Sequence, residues 1–145
     1  MFSVTIYGFF RVGELTTKSR VSFSNMLQYS NVSFRMNCAD ICGVKLTLTR
    51  FKHYTNNRPH DIMIDREDSL PICPVKSLLA YLRLRVHTHG PLFCTFDGSP
   101  ITTCYFNSEL RRCLIFSGLD ISRYKDYFCH SMRVSTGEQL SLIHI

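Results

Sequence analysis

The sequence predicts an α+β domain, mainly helical, with a small antiparallel β-hairpin sheet packed among the helices. Three patterns carry that expectation. Val44, Leu46 and Leu48 alternate with Lys45, Thr47 and Thr49, the period-two signature of a half-buried strand. Val75, Leu78, Leu79, Leu82 and Val86 recur at helical spacing behind Pro74, which a first helical turn tolerates. A further apolar set, Phe106, Leu110, Cys113 and Leu114, is opened by a capping Thr102 or Thr103 and stopped by Gly118.

The remaining elements follow in chain order. Val4 to Leu15 places its apolar side chains on one helical face and is expected to be helix, although Gly8 and Gly13 lower its propensity. The strand around Val44–Leu48 runs into the turn formers Thr55-Asn56-Asn57-Arg58-Pro59. Asp61-Ile62-Met63-Ile64-Asp65 then returns, which reads as a hairpin with a basic, exposed tip. Pro91 to Phe96 is a short apolar run ending in the turn Asp97-Gly98-Ser99-Pro100, and His130 to Leu140 is expected to form a last helix interrupted by Gly137. No internal repeat or long linker divides the chain, so residues 1–145 read as one domain or part of one.

Composition narrows the function classes. The chain is 45% apolar and 19% charged, enough for a modest core and unlike a disordered tail. Its apolar runs fall far short of the roughly 20 residues needed to cross a bilayer. Seven Cys in 145 residues, with no signal-peptide pattern, point to reduced thiols buried as small core residues in an intracellular protein. The net charge of +6 is unevenly placed: residues 1–60 hold eight Lys and Arg against Glu14 and Asp40, whereas residues 61–145 balance. A polyanion would be drawn to the first part by Coulomb attraction and counterion release.

The residues able to do chemistry are Arg11 and Glu14 in the first helix, Lys52 beyond the alternating strand, and His130 with Arg133 near the C-terminus. On a helix His130 and Arg133, three apart, share a face and could reach one anion. Taken alone, an H-x-x-R is more often a pair on a solvated face, and Glu14 is as readily an ordinary surface carboxylate.

In this order the set resembles the catalytic domain of the tyrosine recombinases, the integrase family of DNA breaking and rejoining enzymes, over nearly the whole chain. Arg11 and Glu14 match the first box, an Arg followed three residues later by an acidic residue. Lys52 matches the hairpin lysine, and His130-Ser131-Met132-Arg133 the second box. Tyr7-Gly8-Phe9-Phe10-Arg11, Gly90-Pro91-Leu92-Phe93 and Tyr105 to Leu114 look similar to recombinases of eukaryotic mobile elements.

The resemblance implies that Arg11 and Arg133 clamp the non-bridging oxygens of a phosphodiester and stabilise charge developing there, which planar guanidinium suits better than Lys. It implies that Lys52 protonates the departing 5′ oxygen, that His130 assists proton transfer, and that Glu14 acts behind them by orienting Arg11 or a neighbouring helix. Double-stranded DNA is the implied partner, contacted by Arg11, Arg50, Lys52, Arg58 and Arg133, with assembly of the full-length enzyme into a homo-oligomer on DNA, a nuclear location, no cofactor and no metal.

The chain departs from the family pattern at its end. Cys129 stands where the family has Gly, twelve residues follow Arg133, and all seven tyrosines precede His130, so none occupies the nucleophile's place. A covalent phosphotyrosine route needs that hydroxyl in line with phosphorus. The expectation is therefore a partial catalytic domain, without its DNA-clamping domain and nucleophile helix and with apolar surface left uncovered. The alternative is a catalytically dead remnant that binds DNA and breaks no bond. Zinc is disfavoured by the absence of any C-x-x-C pair, a Cys129–His130 hydrolase by the divergent directions of helical neighbours, and a magnesium nuclease by a solvated-turn reading of Asp61, Asp65, Glu67 and Asp68.

Overall fold

The computed structural model describes residues 1–8, 10–18, 26–49 and 59–118. Arg50, Lys52, Arg58, His130, Arg133 and the expected helix over 130–140 lie outside the described residues. The element order is α1 (Phe2–Tyr7), α2 (Val12–Leu15), β1 (Val32–Asn37), β2 (Asp40–Leu48), β3 (His60–Asp65), α3 (Pro74–Leu84) and α4 (Thr103–Phe116).

The predicted helix over Val4–Leu15 is in fact two short helices with an elbow between them. α1 stops at Gly8, whose N–H donates to the Val4 carbonyl at 2.9 Å, and the Phe10 N–H reaches back to Thr5 O at 3.0 Å. The chain then restarts helically at Val12. Glu14 supplies the restart: its Oε2 accepts from the Arg11 N–H at 2.8 Å, and its own N–H donates to the Arg11 carbonyl at 2.8 Å. Leu15 and Val4 remain in the core on either side of the bend.

The hairpin expected from the alternation is β2 against β3, antiparallel, with Val44 opposite Ile64 and Leu46 opposite Ile62. A strand not expected from sequence, β1, pairs with the other edge of β2, giving the order β1-β2-β3. It turns into β2 through Cys38, which sits at φ 53°, and it carries an irregularity between Arg35 and Met36. Val44, Leu46 and Leu48 face the core, whereas Gly43, Lys45 and Thr47 lie on the outer face.

α3 follows the sequence reading, with Pro74 in its first turn and Val75 and Leu78 buried against α1 and β3. It ends at Leu84, so Val86 is not part of the helical stripe and stands 75% exposed. In α4 the Thr102 Oγ1 accepts from the Tyr105 N–H at 3.2 Å, and Gly118 at φ 71° follows the last turn in the left-handed conformation. Of its expected stripe only Phe106 is fully buried, 4.7 Å from the Phe2 ring, and Cys113 is exposed. A parallel bridge between Thr17 and Thr102 and the 2.9 Å contact of the Thr16 and Thr103 hydroxyls tie the end of α2 to the start of α4.

Candidate functional site

Arg11 occupies the elbow. Phe10, immediately before it, is 1% exposed, and Val12, immediately after, is 3% exposed, so the main chain on both sides of Arg11 is anchored in the core. Arg11 itself is half-buried, with its Nη1 shielded from solvent. Its main-chain N–H and carbonyl are both engaged by Glu14. The functional pair expected from spacing is thus brought together, and Glu14 acts on the Arg11 backbone. A guanidinium carries no acceptor, so the Glu14 N–H of this cap donates to the Arg11 carbonyl instead. The Glu14 carbonyl in turn accepts from the Leu27 N–H at 3.0 Å, fastening the helix to the strand of chain that passes Leu92.

β2 ends at Leu48 and β3 begins at His60, so Arg50, Lys52 and Arg58 belong to the connection between two paired strands. On the sheet's outer face the cations are matched by acids. Arg35 is bonded to Asp65 across Gly43, and Lys45 Nζ lies 3.5 Å from Asp61 Oδ2. A Cβ on Gly43 would sit 3.1 Å from Arg35 Nη2 and 3.2 Å from Asp65 Oδ1, so a bare residue lets the pair reach across the middle strand. In sequence, residues 50–58 carry three of the eight Lys and Arg of the first sixty residues.

The acidic set Asp61, Asp65, Glu67 and Asp68 is dispersed. Asp61 accepts from Thr47 Oγ1 at 2.6 Å, and that bond is the main reason its carboxyl titrates below the usual range. Asp68 is lowered chiefly by Arg66, 2.9 Å away, and also by Lys76 at 2.7 Å. Glu67 is lowered by the Ser69 hydroxyl and N–H. Among the described residues no three His, Cys, Asp or Glu side chains gather as a metal site. The thiols differ from expectation: of the six described cysteines, all free, only Cys73 is buried, because Cys38 lies in the β1–β2 turn and Cys104 and Cys113 on the outer side of α4.

Two features had no signal in the sequence. Arg85, just past α3, donates from Nη2 to His89 O at 2.7 Å and Pro91 O at 2.9 Å, while its guanidinium carbon lies 4.7 Å over the Tyr29 ring. It holds the loop leading to Leu92. Beside it, a cleft of about 270 Å³ lined by Tyr81, Leu84, Phe96 and Tyr105 adjoins one of about 170 Å³ at Phe2, Phe93 and Phe106. The Tyr81 hydroxyl donates to Leu92 O at 3.1 Å and accepts from the Cys94 N–H at 3.0 Å, and burial raises its pKa. Phe96 is 91% and Leu84 75% exposed at the rim. No helix among the described residues is long and apolar enough to cross a membrane.

Family models, curated proteins and solved structures were each compared with the chain, and none matches it.

Proposed function

We propose that the chain is the phosphate-gripping part of a DNA breaking and rejoining enzyme of the tyrosine recombinase type, derived from a mobile element, and that Arg11 is a ligand of the scissile phosphate. The observation that carries this reading is the elbow: an arginine three residues ahead of an acid, with its main chain fixed by that acid and by buried neighbours, preceding an antiparallel hairpin whose connection contains Lys52. A half-buried guanidinium on a rigid backbone loses little rotamer freedom on meeting phosphate, and its field is weakly screened by water.

In this reading Arg11 and Arg133 hold the two non-bridging oxygens through the pentavalent transition state, and the charge accumulating there is matched by permanent positive charge. Lys52 delivers a proton to the departing 5′ oxygen, and His130 assists proton transfer at the same phosphate. Arg50 and Arg58 add backbone contacts that position the duplex without reading its sequence. Glu14 orients Arg11 through its main chain. In a second reading the same residues grip DNA in a remnant that breaks no bond.

The test is a titration of a fluorescently labelled duplex of mixed sequence with the 145-residue chain, at salt from about 50 to about 200 mM. Arg11→Ala and Arg133→Ala are each expected to weaken binding and to lower the salt slope by about 1. Unchanged affinity and slope in both variants would remove the reading. A detergent-stable protein–DNA adduct separates the two forms of it, because only the enzyme makes one.

A further inference from the structure

We propose that Gly8 is a positioning residue for Arg11, acting through the ring of Phe10; this rests on the reading of Arg11 as a phosphate ligand. Gly8 has φ −90° and ψ 0°, a conformation open to any residue, so its use here is not backbone freedom. What it provides is the missing Cβ. A Cβ at this position would stand 2.3 Å from Cε2 and 2.5 Å from Cδ2 of Phe10, and 2.9 Å from the Val4 carbonyl oxygen. The Phe10 ring therefore lies directly on the Gly8 backbone.

That ring has nowhere else to go. Phe10 is 1% exposed and belongs to the core cluster with Val4 and Leu15, and its N–H is tied to Thr5 O at 3.0 Å. Interiors at this packing density do not absorb an overlap of an ångström without moving a neighbour. The Val4 side of the overlap is helix backbone, which is stiff. The Phe10 side continues through one peptide bond into Arg11, so displacement of Phe10 passes to the Arg11 Cα. Glu14 holds Arg11 from the other direction, through the 2.8 Å bond to its N–H. Arg11 is thus located by a clasp with two arms, the Gly8–Phe10 stack before it and the Glu14 carboxylate after it.

Gly13 provides the contrast. It lies two residues beyond Arg11 on the exposed side of α2, and a Cβ built there meets nothing within 4 Å. If small-residue content near Arg11 were all that mattered, Gly8 and Gly13 would be equivalent. The geometry makes Gly8 a clasp and Gly13 a bystander.

The experiment is a double-mutant cycle read in DNA binding, with the full chain, a labelled duplex of mixed sequence, and temperatures below the melting of every variant. Gly8→Ala is expected to weaken binding about tenfold and to lower the salt slope by about 1, as Arg11→Ala does, while Gly13→Ala leaves both unchanged. Gly8→Ala added to Arg11→Ala should cost nothing more, because the group being positioned is already gone. Should Gly8→Ala fail to fold, Phe10→Leu loosens the same stack while keeping an apolar side chain, and its loss of binding should likewise vanish in the Arg11→Ala background. A folded Gly8→Ala or Phe10→Leu with unchanged affinity and slope overturns the proposal, as does a loss that adds in full to that of Arg11→Ala. If Arg11→Ala itself has no effect, Arg11 is not a phosphate ligand and the proposal falls with that assignment, while the DNA reading falls only if Arg133→Ala is also without effect. If Arg11→Ala weakens binding but the cycle is additive, the DNA reading stands and only the clasp is lost.

Discussion

The elbow between α1 and α2 and the outer face of the sheet each carry an arginine, and they hold it in different ways. Arg35 lies on the sheet with its side chain 48% exposed, bonded to an Asp65 side chain that is 73% exposed, over a glycine. Arg11 is half-buried, flanked by two core residues, and located through its main chain. On the sheet the charge is cancelled where it stands, and water can replace either partner. At the elbow the Glu14 carboxylate accepts from the Arg11 main-chain N–H and so fixes where the residue stands. The difference teaches that spacing of charges along the sequence does not tell whether an acid meets an arginine's side chain or its main chain; the packing around it decides.

The comparison is sharpened most strongly by filling the space under Phe10. Gly8→Ala should destabilise the fold by about 3 kcal/mol, an overpacking cost, whereas Gly13→Ala should be neutral or stabilise by up to about 1 kcal/mol through helix propensity. Thermal denaturation of the two variants measures this directly. Equal midpoints would show that the elbow yields and is not a clasp.

Glu14→Ala comes next, at about 1 kcal/mol, the value of a helix-start hydrogen bond. Chemical denaturation would read it, with Glu14→Gln retaining most of the loss-free behaviour because the amide oxygen can still accept. On the sheet, Arg35→Ala should cost less than about 1 kcal/mol, and the effect should fade as salt rises. A cost comparable with that at the elbow would erase the distinction between the two regions.

How far these regions were legible from sequence follows the same line. α3 and α4 were legible because their signals are local: Pro74 in a first turn, Thr102 at a cap and Gly118 past the end are read residue by residue. The β2–β3 hairpin was legible because one of its faces is buried, which forces alternation. β1 was not, since it contributes little to the core beyond the partly buried Val32 and Phe34, and Met36 beyond its irregularity is 56% exposed. The elbow was hidden because helical periodicity continues through it; the break is set by a ring lying on a glycine, a contact that spacing does not encode. In the candidate site the Arg11–Glu14 partnership was visible as a spacing of three, but its form, carboxylate to main chain, was not.

The smallest expected effect lies in the turn after Leu92. Asp97 accepts hydrogen bonds from the Thr95 hydroxyl and from the Ser99 N–H and hydroxyl, the latter two both at 3.0 Å, and the Thr95 bond leads in lowering its pKa to about 2. A carboxyl whose pKa is depressed on folding contributes stability above its unfolded value, near 3.8, and loses it as pH falls toward 2. Asp97→Asn should therefore flatten the acid limb of the melting curve between about pH 4 and pH 2 and leave the neutral midpoint slightly lower. An unchanged acid limb would mean that the turn's hydrogen bonds do not persist in solution.

The most direct measurement sets the two arginines side by side: the salt dependence of duplex DNA binding by the full chain, by Arg11→Ala and by Arg35→Ala. Arg11→Ala should lower the slope of log affinity against log salt by about 1 and weaken binding, while Arg35→Ala, whose charge is already matched by Asp65, should leave the slope unchanged. A slope that falls equally for both, or only for Arg35→Ala, would contradict the assignment of Arg11 as the phosphate ligand.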